Sequence, residues 1–194
     1  MSKRVLVPIS RGFEEIEALC VVDILRRAGV EVVLACLEEE RTVMGRSGIQ
    51  VIADQTLSAA LAAGPYDLVV LPGGLPNAHT LCDDERVIAC VQGHLAAGAW
   101  VAAICAAPLA LQRAGVLEGL RLTSHPSVRD QLPGERYSED RVVVDGRVVT
   151  SRAAGTALEF AFTLVRLLVG AEAVLLVNAG VLADLGRGDA PGGR

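Results

Sequence analysis

Short runs of aliphatic and β-branched residues alternate along the chain with longer stretches whose apolar positions recur every three or four residues. The runs at 4–9, 30–36, 67–71, 100–104 and 120–124 predict strands, and the stretches at 14–28, 83–97 and 106–114 predict helices. Strand followed by helix, repeated, is the pattern of an α/β protein with a parallel sheet covered by helices on both faces. Two hairpins interrupt it. Residues 42–44 and 50–53 flank Gly45-Arg46-Ser47-Gly48, and 141–144 and 147–150 flank Asp145-Gly146, a turn suited to positive φ. The sheet is therefore mostly parallel, with antiparallel pieces at its margins. Towards the end, Thr156-Ala157-Leu158-Glu159 reads as a capping box opening a helix to about 169, and 172–185 reads as a further helix. The sequence shows no internal repeat or linker.

A chain of 194 residues that is 52% hydrophobic can bury one substantial core and does not need two, so residues 1–186 are expected to form a single domain. The glycine-rich tail 187–194 is expected to be mobile. A net charge of -5 and only 3% aromatic residues leave no source for phosphate neutralisation or base stacking, which argues against a nucleic-acid partner. The amino terminus lacks a long enough apolar run and a small-residue cleavage site for a signal peptide. The longest uncharged stretch, 95–111, carries Gly98 and Pro108 and reads as strand plus helix rather than a membrane span. Five cysteines with no C-x-x-C pair and no histidine at ligand spacing argue against a disulfide framework and against a metal site. A soluble protein of the reducing cytoplasm fits this usage.

Cys105 stands where the run 100–104 gives way to a helix, so its sulfur would face unpaired helix N–H groups that favour thiolate. A free cysteine is otherwise a small core hydrophobe. Other suggestive residues fall at the same edge, where parallel sheets bind ligands. Gly73-Gly74 follows the run 67–71, and a glycine pair there lets backbone N–H groups approach a developing oxyanion, although it also suits an ordinary turn. His125 is the one histidine that ends a predicted strand. Glu17 has Cys20, Val21, Ile24 and Ala28 as its helical neighbours, so its carboxyl faces the core and is expected to hold its proton. Glu14 and Glu15 open the same helix, and Glu15 reads as a solvated first-turn acid.

These residues lie in stretches that resemble the ThiJ/PfpI superfamily and, within it, the Parkinsonism-associated deglycase branch. The matching stretches are 11–17, 22–29, 64–74, 102–108, 124–126 and 150–152, in family order from about residue 3 to 186. The resemblance implies a flavodoxin-like three-layer α/β/α sandwich, usually a homodimer, with no metal or organic cofactor. It implies Cys105 as nucleophile and oxidation-sensitive thiol, Glu17 as its protonated partner, Gly74 and Ala106 as oxyanion-binding N–H donors, and His125 in a secondary role. Gly73, Glu14 and Arg152 would line the site. The implied activity is cofactor-independent glyoxalase or deglycase chemistry on 2-oxoaldehydes such as methylglyoxal. The alternative is an oxidative-stress sensor or redox-regulated chaperone acting through oxidation of Cys105. Three departures matter: Ala106 replaces the histidine of the protease branch, Ala153-Ala154-Gly155 stands where relatives carry Gly-Pro-Gly, and Arg46-Ser47 inverts the usual Ser-Arg. No His-x-Glu follows Cys105, which argues against an amidotransferase.

Overall fold

The computed structural model describes residues 2–132, 134 and 136–184. In chain order its elements are β1 (Arg4–Ile9), α1 (Glu15–Arg27), β2 (Glu31–Cys36), β3 (Thr42–Met44), β4 (Gln50–Ile52), β5 (Gln55–Thr56), α2 (Leu57–Ala62), β6 (Leu68–Leu71), α3 (Leu75–Asp83), α4 (Glu85–Ala96), β7 (Trp100–Ile104), α5 (Pro108–Arg113), β8 (Val142–Asp145), β9 (Val148–Ser151), α6 (Ala157–Leu168) and α7 (Ala171–Val181). Seven strands form one sheet in the order β5-β2-β1-β6-β7-β9-β8, parallel except for the β8–β9 hairpin. The β3–β4 hairpin stands apart as a second, two-stranded sheet.

Alternation along β1 explains the three layers. Val5, Val7 and Ile9 join a core cluster with α1 and α6, including Val21, Ile24, Leu25 and Phe160. Leu6 joins the opposite cluster with Leu57, Leu81, Val91 and Leu111 from α2 to α5. Fully burying each such side chain contributes about 1.5–3 kcal/mol, so both faces are needed to hold the sheet. The expected flavodoxin-like α/β/α architecture is the one observed. Between β1 and β6 the strand order reverses, and the carboxyl ends of these two strands open a crevice. Among the described residues no helix is long and apolar enough to cross a membrane.

Three expectations need correction. Residues 120–124 form no strand: the slot beside β7 is taken by β9, leaving one isolated bridge from Leu122 to Tyr137. The helix expected at 83–97 is α4, which Asp84 caps by accepting from Arg86 N–H, and a further helix, α3, precedes it from Leu75-Pro76. Thr156 builds no capping box with Glu159; its hydroxyl bonds to Ala153 and Ser151, and Glu159 pairs with Arg141. The last helix ends at Val181 rather than 185, turned off by Leu182 at φ 57 and by the Asn178 amide bonding the Ala183 backbone. The expected tail 187–194 lies outside the described residues.

Candidate active site

Three loops at the carboxyl edge converge. After β1, the chain runs through Gly12 to Glu14, whose side chain caps α1 by accepting from Glu17 N–H at 2.8 Å. After β6 comes Pro72-Gly73-Gly74, and after β7 comes Cys105 itself. Buried Asn77 clamps the first two loops: its carbonyl oxygen accepts from Ser10 N–H at 2.7 Å, and its amide donates to Pro72 O at 2.8 Å. Cys105 is held at φ 65, left-handed and strained for a residue with a Cβ. Main-chain bonds fix it there, with Cys105 N–H donating to Ser151 O at 3.0 Å and His125 N–H donating to Cys105 O at 2.8 Å.

The sulfur is half-buried beside Glu17, which is 1% exposed. Glu17 Oε2 accepts from Gly73 N–H at 2.8 Å, and the carboxyl also shares a hydrogen bond with the Cys105 thiol. Burial is the chief cause that raises Glu17 to about 7; the Cys105 bond, Gly73 N–H and the Arg46 charge act the other way. Burial and the Glu17 carboxyl push the Cys105 thiol up to about 12, against the Gly74 and Ala106 N–H groups that donate to the sulfur. The expected amide donors and the expected acid partner both stand beside the sulfur, but the thiol is raised rather than lowered because burial outweighs the donors, and the helix starts only at Pro108. The hydrogen bond and the charge between them couple the two titrations.

The glycine pair is required by close approach. A Cβ on Gly73 would lie 2.5 Å from Glu17 Oε2 and 2.7 Å from Cys105 Cβ. One on Gly74, at φ 86, would lie 2.2 Å from Gly12 O. Gly73-Gly74 is thus the wall through which the acid and the thiol meet.

The cleft above them has a volume of about 1080 Å³ and is lined by Glu14, Glu17, Gly74, Cys105, Ala106 and His125 among others. His125 lines it too, and its Nδ1 accepts from Ser127 N–H at 3.2 Å. Arg152 is not brought to the cleft. Its guanidinium donates to Glu139 O at 2.8 Å, and Ala153, Ala154 and Gly155 form the wall in its place. Among the described residues no three His, Cys, Asp or Glu side chains gather as metal ligands, and all five cysteines are free thiols.

Glu15 overturns its reading as a solvated acid. It is 5% exposed, and its Oε1 accepts from Ser47 N–H at 2.7 Å. Burial alone would raise its pKa, but N–H donors of Glu15, Ser47 and Ile49 outweigh burial and hold it low. Asn77 and Arg11 were not expected in the site, and Arg46, noted only as an inverted Ser-Arg, was given no role, although Pro76 just after Gly-Gly was an available helix-start signal for Asn77. The roles of Glu15, Arg11 and Arg46 depend on where the β3–β4 hairpin docks, which no local pattern encodes.

A thiol strained onto a strand-to-helix turn, hydrogen-bonded to a buried acid and faced by the N–H groups of Gly74 and Ala106, is an arrangement suited to a reactive cysteine on a flavodoxin-like fold. The DJ-1/PfpI family model matches residues 3–167, and the chain belongs to that family. It is 41% identical to a Parkinson disease protein 7 homolog of Danio rerio over 91% of this chain and 95% of that one. It is 33% identical to the glutathione-independent glyoxalase DJR-1.2 of Caenorhabditis elegans, over 82% of this chain and 84% of that one. Among solved structures, oxidised Toxoplasma gondii DJ-1 superposes with a TM-score of 0.89 at 38% identity, covering 93% of this chain and 98% of the other.

Proposed function

We propose that the protein converts 2-oxoaldehydes, or their early adducts with thiols and amines, to 2-hydroxy acids without a cofactor. The observation that carries this reading is the buried Glu17 carboxyl hydrogen-bonded to the Cys105 thiol. With the Glu17 carboxyl ionised, transfer of the Cys105 proton to it gives a thiolate beside a protonated carboxyl, and the Gly74 and Ala106 N–H groups aimed at the sulfur favour that anion. The thiolate adds to the aldehyde carbon, and Glu17 gives its proton to the new oxyanion, which the N–H groups of Gly74 and Ala106 stabilise. Glu17, now ionised, takes the hydrogen from that carbon as a proton and returns it to the adjacent carbon, while the hydroxyl proton on the first carbon's oxygen passes to the oxygen of the second, leaving a thioester of the 2-hydroxy acid. Water cleaves the thioester, releases the acid and restores the thiol, so the net change is addition of one water. His125 on the cleft rim has the secondary role of a polar wall. The nematode relative described as a glyoxalase supports the same reading.

The test is lactate formation from methylglyoxal in the absence of glutathione. The wild type is expected to produce it, and Cys105→Ala is expected to abolish it; a variant retaining the wild-type rate sinks the mechanism.

A second reading rests on the same sulfur: the Glu17 hydroxyl and two N–H donors are placed to hold the oxygens of a sulfinate, as an oxidation sensor requires. Intact mass after mild peroxide, followed by a change in assembly or partners, would favour it over catalysis. We also propose a homodimer. Ile16 on α1 is 58% exposed, and Ile49 and Ile52 of the neighbouring hairpin are 54% and 70% exposed, a patch suited to a second copy. Sedimentation should show two chains per particle.

A further inference from the structure

Arg11 and Arg46 both line the cleft, and their placement has no structural explanation within the chain. Gly12 N–H donates to Met44 O at 2.8 Å, and Arg46 N–H donates to Phe13 O at 2.9 Å, so the backbones bearing the two arginines are tied together. Neither guanidinium has a carboxylate partner among the described residues, although ten other basic side chains do. Glu38 accepts from Arg11 N–H rather than from its side chain. The carboxylates in the lining are Glu14, committed to capping α1, and Glu17, committed to the thiol. Arg11 and Arg46 stand on adjoining segments of one cleft wall, and a planar anion is the ligand that guanidinium groups recognise best. The cleft, at about 1080 Å³, also exceeds the needs of a three-carbon aldehyde.

We propose that Arg11 and Arg46 form an anion subsite, so that the preferred substrate is a 2-oxoaldehyde whose chain ends in a carboxylate or phosphate. This deepens the glyoxalase reading and rests on it for the reaction, though not for the subsite. Arg11, Arg46, Glu17 and Cys105 line one cleft, so an anion seated on the arginines shares it with the reacting atoms. The chemistry is unchanged: water is added, the aldehyde carbon is oxidised to the acid, the adjacent ketone carbon is reduced to the alcohol, and the distal anion is a spectator.

The closing experiment needs no carbonyl chemistry. Alkylation of Cys105 by anionic iodoacetate and by neutral iodoacetamide is followed at the Cys105 peptide by mass spectrometry, and the rate ratio is normalised to free cysteine. The wild type is expected to favour iodoacetate about tenfold, Arg46→Gln and Arg11→Gln each to lose several-fold of that preference, and the double variant to lose all of it. Arg46→Lys should retain part, 0.5 M salt should weaken it, and Arg166→Gln, outside the cleft, should leave it unaltered. A normalised ratio near one in the wild type, or a preference that survives the double variant, overturns the subsite. In a second arm, kcat/KM is compared for methylglyoxal, 4,5-dioxopentanoate and 3-phosphooxy-2-oxopropanal. The faster of the two anionic probes names carboxylate or phosphate, and neither exceeding methylglyoxal overturns the substrate preference. No turnover of any probe with the alkylation preference intact would overturn the carbonyl chemistry and leave the subsite standing.

Discussion

At the amino-terminal edge of the sheet, Asp67 accepts from Lys3 Nζ at 2.7 Å and from Arg4 N–H at 2.9 Å. Burial would raise that carboxyl, but these donors and charges outweigh it and hold its pKa below the ordinary value. Arg4 also stacks over Tyr66 and pairs with Glu31, and Arg147 stacks over Trp100, so the edge is laced with satisfied charges. At the opposite edge of the same strands, Glu17 receives one N–H bond and a thiol, and burial raises it to about 7. One acid is surrounded by groups that reward ionisation. The other is kept where ionisation is costly, so its proton is available for transfer. Stability is concentrated at one end of the β-strands and reactivity at the other.

The change that breaks this contrast most sharply is Glu17→Gln. Activity should fall by about 10²–10⁴-fold, because the amide cannot carry the proton between two carbons. Stability should move the other way. A carboxyl with a folded pKa of about 7 against 4.5 unfolded contributes fully below about 4.5, and that contribution is lost as pH rises towards 7. Above pH 7 the ionised carboxyl therefore costs the fold up to about 3 kcal/mol, taking about 1.4 kcal/mol per pKa unit. Denaturation at pH 8 should find the variant more stable than wild type by about 1–3 kcal/mol, with the difference vanishing near pH 4. A loss of stability at pH 8 would show that Glu17 is a structural acid like Asp67.

The alkylation rate of Cys105 against pH sharpens the same point. The wild type should inflect near 7, where the coupled pair loses its first proton, and Glu17→Gln should move that inflection. An inflection near 9 in both proteins would mean that the sulfur titrates alone. Next in size is Gly74→Ala, which places a methyl group 2.2 Å from Gly12 O at a residue with φ 86. It should cost roughly 3 kcal/mol in denaturant unfolding and weaken the oxyanion donor, whereas Gly98→Ala, with φ 72 but nothing within 4 Å, should cost only about 1 kcal/mol.

The reactive end was partly legible in the chain. Cys105 announces itself by the abrupt change from strand to helix pattern, and Glu17 by a helical face whose other members are all apolar. The family motifs join the two. What escaped is what depends on segments far apart in sequence. Glu15 has the same local signature as any first-turn acid, and only docking of the hairpin brings Ser47 N–H over it. Residues 120–124 have strand composition, yet β9 outcompetes them for the edge of β7 because its hairpin with β8 supplies a partner on each side. The thiol's expected direction of titration was also reversed. A turn position tells of the amide donors, but not of the burial that outweighs them.

The smallest prediction concerns the quiet end. Asp67→Asn removes the ion pair with Lys3 but keeps an acceptor for Arg4 N–H, and the Lys3 and Asp67 side chains are 46% and 35% exposed. A pair so open to solvent is worth about 0.2–1 kcal/mol, so urea unfolding at pH 7 should show a loss no larger than that. The sign of its pH dependence is the informative part. With a folded pKa below 3.8, Asp67 contributes above 3.8 and loses that contribution as pH falls through the folded value, opposite to Glu17. The Asn variant should therefore differ from wild type at pH 7 and converge with it in acid, with kcat/KM unchanged throughout. If it instead alters the rate at Cys105, the two ends of the sheet are coupled through β1 and β6, and the separation of support from chemistry fails.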